Sequence, residues 1–290
     1  MTQAAKARTL LDLHQPPRLL ILPNVWNPIG ARLLAAKGFP SVATASAAIA
    51  ESLGYADGEQ LQWQTLLDMS VRIVRSVNIP VSVDVEAGYS ETLDGLRENM
   101  AQLLDAGAAG INIEDSWQDG ARLRPLAEQA RRIETIRNLA EQRGIPLVIN
   151  ARVDSFLADG FATQPARIED AVRRANAYLQ AGAACIYPIG CADRETLVIL
   201  RQRIPAPLNV LVTAAAPPLS MLQEIGVNRV SFGPYIFRTL LAKMSALFDA
   251  IQQGDSATLM ADMWRGADVQ PYLQVGKEPE LAGGHPHGAQ

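Results

Sequence analysis

The sequence predicts an α/β chain folded as a (β/α)8 barrel of the TIM type, with an extra helix before the barrel and a helical extension after it. Eight short apolar runs recur between residues 19 and 234, rich in Val, Ile and Leu and near-continuous rather than alternating. That is the pattern of parallel strands covered on both faces. Helix-length stretches separate the runs, and Gly38, Gly107, Gly144, Gly182 and Gly226 stand where a helix must stop before the next strand. Eight such units within 290 residues suit a closed barrel, for which ~250 residues is typical.

Taken in order, residues 3–13 (QAAKARTLLDL) read as a helix preceding the barrel. The strands are LLIL (19–22), SVATAS (41–46), PVSVDVE (80–86), GINIED (110–115), LVINARVD (147–154), CIYPIG (185–190), LNVLVT (208–213) and RVSFGP (229–234). Helical periodicity is plainest over 61–77, 92–107 and 126–144. An open doubly wound sheet is the alternative, but no G-x-G-x-x-G follows the first strand, where LPNVWNP stands instead. Residues 1–254 are assigned to the barrel and 255–290 to a C-terminal extension. In that extension residues 255–265 predict one helix, with Leu259, Met260, Met263 and Trp264 on an apolar face, followed by a flexible tail, AGGHPHGAQ.

Composition narrows the chemistry. Lys plus Arg (26) against Asp plus Glu (30) gives a net charge of −4, which offers no electrostatic footprint for nucleic acid. No apolar run reaches the ~18 residues of a membrane span, and the N-terminus does not read as a signal peptide. Two cysteines, Cys185 and Cys191, fit a reducing compartment, so a cytoplasmic location is expected. The histidines, His14, His285 and His287, all lie near the termini, which leaves carboxylates, arginines, hydroxyls and backbone to carry any chemistry in the barrel body.

Barrel enzymes place their reactive groups at the C-terminal ends of strands. There the third strand carries Asp84 and Glu86, the fourth Glu114 and Asp115, and the fifth Asn150, Arg152 and Asp154. Two-residue spacing puts Asp84 with Glu86, and Asn150 with Arg152 and Asp154, on one face of their strands. Several carboxylates at one mouth repel unless a cation joins them, and an oxygen-only set points to Mg²⁺ or Mn²⁺. The small-residue run at Ser46, Ala47 and Ala48 fits either an anion cradle of backbone amides or a tightly packed junction. Asp57, in GYADG, is a turn aspartate on its own evidence.

The segments LPNVWNPIGARLLAAKGF (22–39), VATASAAIAESLGYADGE (42–59), PVSVDVEAGY (80–89), GINIEDS (110–116), INARVDSFL (149–157) and RVSFGPYIFR (229–238) resemble the isocitrate lyase/phosphoenolpyruvate mutase superfamily. The resemblance is to its phosphonomutase-like branch, the carboxyvinyl-carboxyphosphonate phosphorylmutase-like proteins, and spans roughly residues 18–250. It implies a barrel with Mg²⁺ at the strand ends, acting on small 2-oxo or 2-hydroxy carboxylates. By motif, Asp84 resembles the acid nearest the metal, with Glu86, Glu114 and Asp57 in the metal's water shell. Arg152 resembles the arginine that binds a substrate carboxylate or developing oxyanion. Ser46, Ala47 and Ala48 look like the substrate cradle, with Trp26 and Asn150 also placed in the substrate pocket.

One segment departs from the pattern. Lyases of the superfamily carry a Lys-Cys-Gly-His loop after the fourth strand, and phosphonate-processing members a Pro-Lys pair. Residues 116–125 (SWQDGARLRP) have neither. Tyr89, Arg122 and Arg124 are the candidates left to assist proton transfer or clamp the substrate's far end. The expectation is a Mg²⁺-dependent lyase that cleaves a C–C bond through an enolate. The alternatives are a phosphonate P–C mutase or hydrolase, hydrolysis or decarboxylation of an oxaloacetate-like acid, and a non-catalytic carboxylate binder. The resemblance also implies a homo-oligomer, a tetramer built as a dimer of helix-swapped dimers, with a small-molecule carboxylate as its other partner.

Overall fold

In a computed structural model, which describes residues 1–117, 120–261 and 263–273, eight parallel strands close into a barrel. The first strand is split, because Pro23 has no N–H to give to the ladder between β1 (Leu20–Leu22) and β2 (Asn24–Val25). From β2 the ladder runs through β3 (Val42–Thr44), β4 (Val81–Asp84), β5 (Gly110–Glu114), β6 (Val148–Val153) and β7 (Cys185–Pro188). On the other side β1 pairs with β9 (Arg229–Ser231), which pairs with β8 (Asn209–Leu211). A parallel bridge between Ile186 and Leu208 joins β7 to β8 and completes the ring.

Outside the ring, α2 (Pro28–Ala36), α4 (Trp63–Ser76), α5 (Leu93–Ala106), α6 (Leu126–Gln142), α7 (Gln164–Gln180) and α8 (Arg194–Arg203) each bury one face on the strands, and short α3 (Ser46–Ser52) and α9 (Leu219–Ile225) fill the remaining crossovers. Their limits follow the local signals. Thr92, Thr163 and Asp193 cap the N-termini of α5, α7 and α8 with their side chains, and Gly107 ends α5 at φ 100°. In α4 the buried positions Leu66, Leu67, Ser70, Ile73 and Val74 fall on one helical face.

The N-terminal helix α1 (Gln3–Leu13) is held by side-chain bonds as well as apolar contact. Gln3 Nε2 donates to Leu104 O and Ala108 O, and Lys6 Nζ to Val77 O. Leu10 is fully buried against Gly110, where a Cβ would stand 2.8 Å from Val148 O and 2.9 Å from Leu10 Cδ2. Only glycine allows that close approach.

The C-terminal extension differs from the sequence expectation. The single helix expected over 255–265 is α11 (Ala257–Ala261), and the chain leaves it before Trp264. Asp268 Oδ2 accepts from Arg265 N at 2.9 Å and starts a second short helix, α12 (Gly266–Val269), so the local cap outcompetes the apolar face. Trp264 stacks on Tyr272 with ring centroids 5.8 Å apart. The tail expected to be flexible lies outside the described residues. Before the extension, α10 (Tyr235–Gln252) buries only Phe237 and leaves Leu240, Leu241, Met244, Phe248 and Ile251 exposed. Among the described residues no helix is long and apolar enough to cross a membrane.

Candidate active site

Asp84 ends β4, and its carboxylate is held on both oxygens. Ser46 N–H (3.1 Å) and Ser46 Oγ (2.8 Å) donate to Oδ2, and Asn112 Nδ2 donates to Oδ1 at 2.8 Å. The strand register makes this possible. Asp84 pairs with Asn112 and Asn112 with Asn150, so the inward side chains of three strands form a polar chain, with Asn150 Nδ2 donating to Asn112 Oδ1 at 2.8 Å. Asn150 is fully buried beneath the mouth and acts on Asp84 through Asn112.

One register level on, Glu114 pairs with Arg152, and Arg152 with Tyr187. Arg152 presents its fork to Asp154, with Nε to Oδ1 at 2.8 Å and Nη2 to Oδ2 at 2.7 Å, while Nη1 meets Glu114 Oε2 at 2.5 Å. Of the five N–H donors of a guanidinium, these contacts leave two. Glu114 is pushed well above the usual carboxylate range, first by burial and then by Asp154, Asp84 and Glu86, against the pull of Arg152. Asp57 sits across from Asp84 and is also raised, by lost solvation and then by the Asp84 charge, although much of the residue's surface stays open to solvent.

Glu86 stands on a strained backbone. Glu59, Glu86 and Tyr89 all have left-handed φ (57°, 50° and 56°), a region that costs a non-glycine residue on the order of 1–3 kcal/mol. The three interlock: Tyr89 OH donates to Glu86 Oε1, Glu59 N to Glu86 Oε2, and Tyr89 N to Glu59 Oε1 at 2.7 Å. Trp63 packs on Tyr89 with centroids 5.6 Å apart. Burial, followed by the Asp84 and Asp57 charges, raises Glu86 to about 7.

A buried brace lies behind the mouth. Asp115 points outward from β5 and takes Tyr178 OH (2.6 Å), Arg174 Nη1 (3.2 Å) and Asp154 N–H (2.9 Å). Arg174 Nε reaches Asp170, which also accepts from Ser155. Burial, with Asp154 nearby, raises Asp115 to about 6.

These contacts enclose a cavity of about 210 Å³ lined by Ser46, Ala47, Asp57, Asp84 and Arg152 among the expected residues. Others stand back from it. Ala48 and Trp26 pack with Ala45 and Phe237 behind α3, with Trp26 meeting Phe237 edge-on at 5.0 Å. Glu86, Glu114 and Asn150 support the lining from behind. Tyr89 turns its hydroxyl onto Glu86, and its ionisation is suppressed by burial and by that carboxylate, so it is no ready base. Arg124, expected near the substrate, is buried instead, with its guanidinium 3.9 Å over the Trp117 ring and Nη1 on Glu128. Arg122 is exposed, and its carbonyl accepts from Trp117 N–H at 2.8 Å. The bridge between Ser116 and Leu123 folds this segment onto itself, which turns both arginines away from the cavity. Both cysteines are buried thiols pushed up to about 12. The cavity also contains residues that were not singled out: Asn112, Tyr187, Asn209, Arg229, Ser231 and Arg238. Most are inward strand positions, which the two-residue period marks once the register is known.

No three His, Cys, Asp or Glu side chains among the described residues converge tightly enough to hold a metal by themselves. The donor set still suits a hard cation. It is all oxygen, one carboxylate faces the cavity from a strand end, and its neighbours titrate high, first because burial strips their water and then because their charges crowd. Mg²⁺ commonly keeps several waters and takes only one or two protein carboxylates.

Comparison with known proteins agrees with this arrangement. A model of the family described as phosphoenolpyruvate phosphomutase matches residues 10–252. An uncharacterised protein of Mycobacterium tuberculosis is 32% identical over 246 residues, covering 84% of this chain and 89% of that protein. A crystal structure of a Burkholderia cenocepacia protein assigned as a phosphonomutase is 35% identical with a TM-score of 0.80, covering 84% of this chain and 99% of its own. The 2-methylisocitrate lyase of Aeropyrum pernix is 28% identical over 267 residues, covering 88% of this chain and 83% of that enzyme. The chain therefore belongs to the phosphoenolpyruvate phosphomutase family, within the phosphoenolpyruvate mutase/isocitrate lyase superfamily.

Proposed function

We propose that the protein is a Mg²⁺-dependent lyase that cleaves a C–C bond in a small 2-oxo or 2-hydroxy carboxylate by way of an enolate. The observation that carries this reading is the oxygen-only acidic mouth around Arg152, placed at the strand ends of a cavity too small for anything but a small metabolite. The Aeropyrum pernix relative, named as a 2-methylisocitrate lyase, favours the lyase reading. The assignment of the Burkholderia relative favours phosphonate chemistry on the same scaffold as the second reading.

Asp84 would hold the cation directly, and Asp57, Glu86 and Glu114 through waters; Mg²⁺ bound there supplies Lewis-acid stabilisation of an oxyanion. Cleavage beside a carboxylate leaves an electron pair delocalised onto oxygen. The two donors that Arg152 keeps free meet that developing charge, and they are fixed in advance because Asp154 and Glu114 hold the rest of the guanidinium. Glu86, raised to about 7, is held on both oxygens, Oε1 by Tyr89 OH and Oε2 by Glu59 N–H, so it stores a proton behind the cavity wall rather than meeting the substrate. Among the described residues of this segment, 116–117 and 120–125, none lines the cavity, so proton transfer falls to the carboxylates that do, Asp84 and Asp57.

The reading extends to assembly. The apolar residues of α10 and the extension are covered, on this proposal, by a second copy of the chain, in a helix-swapped homo-oligomer.

Three outcomes are expected. A turnover screen with Mg²⁺ across 2-oxo, 2-hydroxy and phosphono acids should find C–C cleavage; P–C cleavage would favour the second reading, and binding without turnover would leave a binder. In EDTA, stability should fall as pH rises. Glu86 titrates at about 7 in the folded chain against an ordinary 4.5, so its contribution is full below about 4.5 and lost through about 7, at most ~3 kcal/mol. Glu86→Gln should flatten that slope in thermal melts, and an unchanged slope would remove Glu86 as its source. Light scattering should show an oligomer at micromolar concentration, and a monomer would overturn the proposed assembly.

A further inference from the structure

The turn that carries Glu86 is held from behind by two side chains, neither of which lines the cavity. Arg132 on α6 donates from Nη2 to Ala87 O, and Asn99 on α5 donates from Nδ2 to Gly88 O and Tyr89 O, both at 3.1 Å. Three successive carbonyls are thus tied to helices outside the strand ring. Gly88 closes the fit. At its φ of 99° a Cβ would stand 2.5 Å from Leu96 Cδ1 and 3.1 Å from Arg132 Nη2. Glu86 and Tyr89, on either side of the tied carbonyls, keep the left-handed backbone that a free chain would relax.

Stability alone does not account for Arg132. It has no exposed surface, and its one hydrogen bond among the described residues is that to Ala87 O, since Nε and Nη1 are buried without partners. Burial, followed by the Arg124 charge, lowers it to about 10, so it remains charged at neutral pH. A buried guanidinium held by a single bond adds little to stability and can subtract from it. Its charge, however, makes that one bond roughly twice as strong as a neutral one. What the residue secures is the turn.

From the turn the constraint passes to a second loop. Glu86 Oε2 accepts from Glu59 N–H, and Glu59 Oε1 accepts from Tyr89 N–H at 2.7 Å. Glu59 stands two residues after Asp57, which lines the cavity with Asp84. A shift of residues 86–89 would move Glu86 directly and Asp57 by way of Glu59.

We propose that Arg132 and Asn99 are positioning residues for the mouth: by holding the 86–89 turn in its strained form they fix Glu86, and through Glu59 also Asp57, around the cation site. The proposal rests on the Mg²⁺ reading for its last step alone, since the hold on the two loops needs no metal.

Two readouts on the full-length chain test the two steps. The first is amide hydrogen exchange over residues 55–62 in EDTA, read by mass spectrometry; the substitutions leave that loop untouched. In Arg132→Met and in Asn99→Leu its exchange should quicken on the order of 10-fold, the scale of one or two lost hydrogen bonds. The second is calorimetric titration of Mg²⁺, whose affinity should fall ~10–100-fold in both variants. Loss of a positive charge would by its field alone strengthen Mg²⁺ binding, so a weaker Arg132→Met reports the displaced turn. That variant should melt no lower than the wild type, and Arg132→Lys, which keeps a charged donor, should recover part of both effects. If Arg132→Met does not fold, Asn99→Leu decides on the same readouts. Unchanged exchange in the folded variants would overturn the proposal, and so would quickened exchange with wild-type Mg²⁺ affinity. A wild type that binds no Mg²⁺ would count against the metal reading, and quickened exchange would still uphold the hold of Arg132 and Asn99 on the two loops.

Discussion

Crowded negative charge at the barrel mouth is the constraint on which the rest of the site depends. Asp57, Asp84, Glu86, Glu114 and Asp154 gather there, and Arg152 answers only Glu114 and Asp154. Burial raises the proton affinity of Asp57, Glu86 and Glu114, and their closeness to one another and to Asp84 adds to it. Hydrogen bonds from Ser46 and Asn112 hold the Asp84 carboxylate within that crowd. A divalent cation would relieve the same repulsion with one centre of charge.

Much of the surrounding architecture keeps these groups from spreading apart. The strand register places Asp84, Asn112 and Asn150 in one line, and Glu114, Arg152 and Tyr187 in the next. Behind them Asp115, Arg174 and Tyr178 hold the Asp154 backbone, and Asp154 holds Arg152. The three left-handed residues Glu59, Glu86 and Tyr89 tie two loops across the mouth. Strain and buried charge are both concentrated here, where a fixed electrostatic environment serves catalysis.

The fold was legible because buried parallel strands leave an apolar signature that needs no knowledge of partners. The acidic mouth was legible for a related reason: Asp84, Glu86, Glu114 and Arg152 all sit where strands end. Depth was not legible. Arg229 and Asn209 lie on strands read only as apolar runs, and their inward direction emerges from their pairing with each other across β8 and β9 and from the bond of Asn209 Nδ2 to Ser231 Oγ. Arg122 and Arg124 do not line the cavity, because a loop's sequence does not say which way it folds, and Trp117 offers Arg124 a stacking surface. The extension departs from its apolar pattern in the same way, as the Arg265–Asp268 cap is stronger than an apolar stripe with nothing beneath it.

The central claim is that the acidic mouth is a cation site built on Asp84. The most direct measurement is calorimetric titration of Mg²⁺ into the wild type and Asp84→Asn, with circular dichroism to confirm that both are folded. The account predicts that the variant keeps its fold and loses at least ~10–100-fold in Mg²⁺ affinity, the loss seen even for residues that only orient a metal's ligands. Equal Mg²⁺ affinity in the two proteins would contradict it.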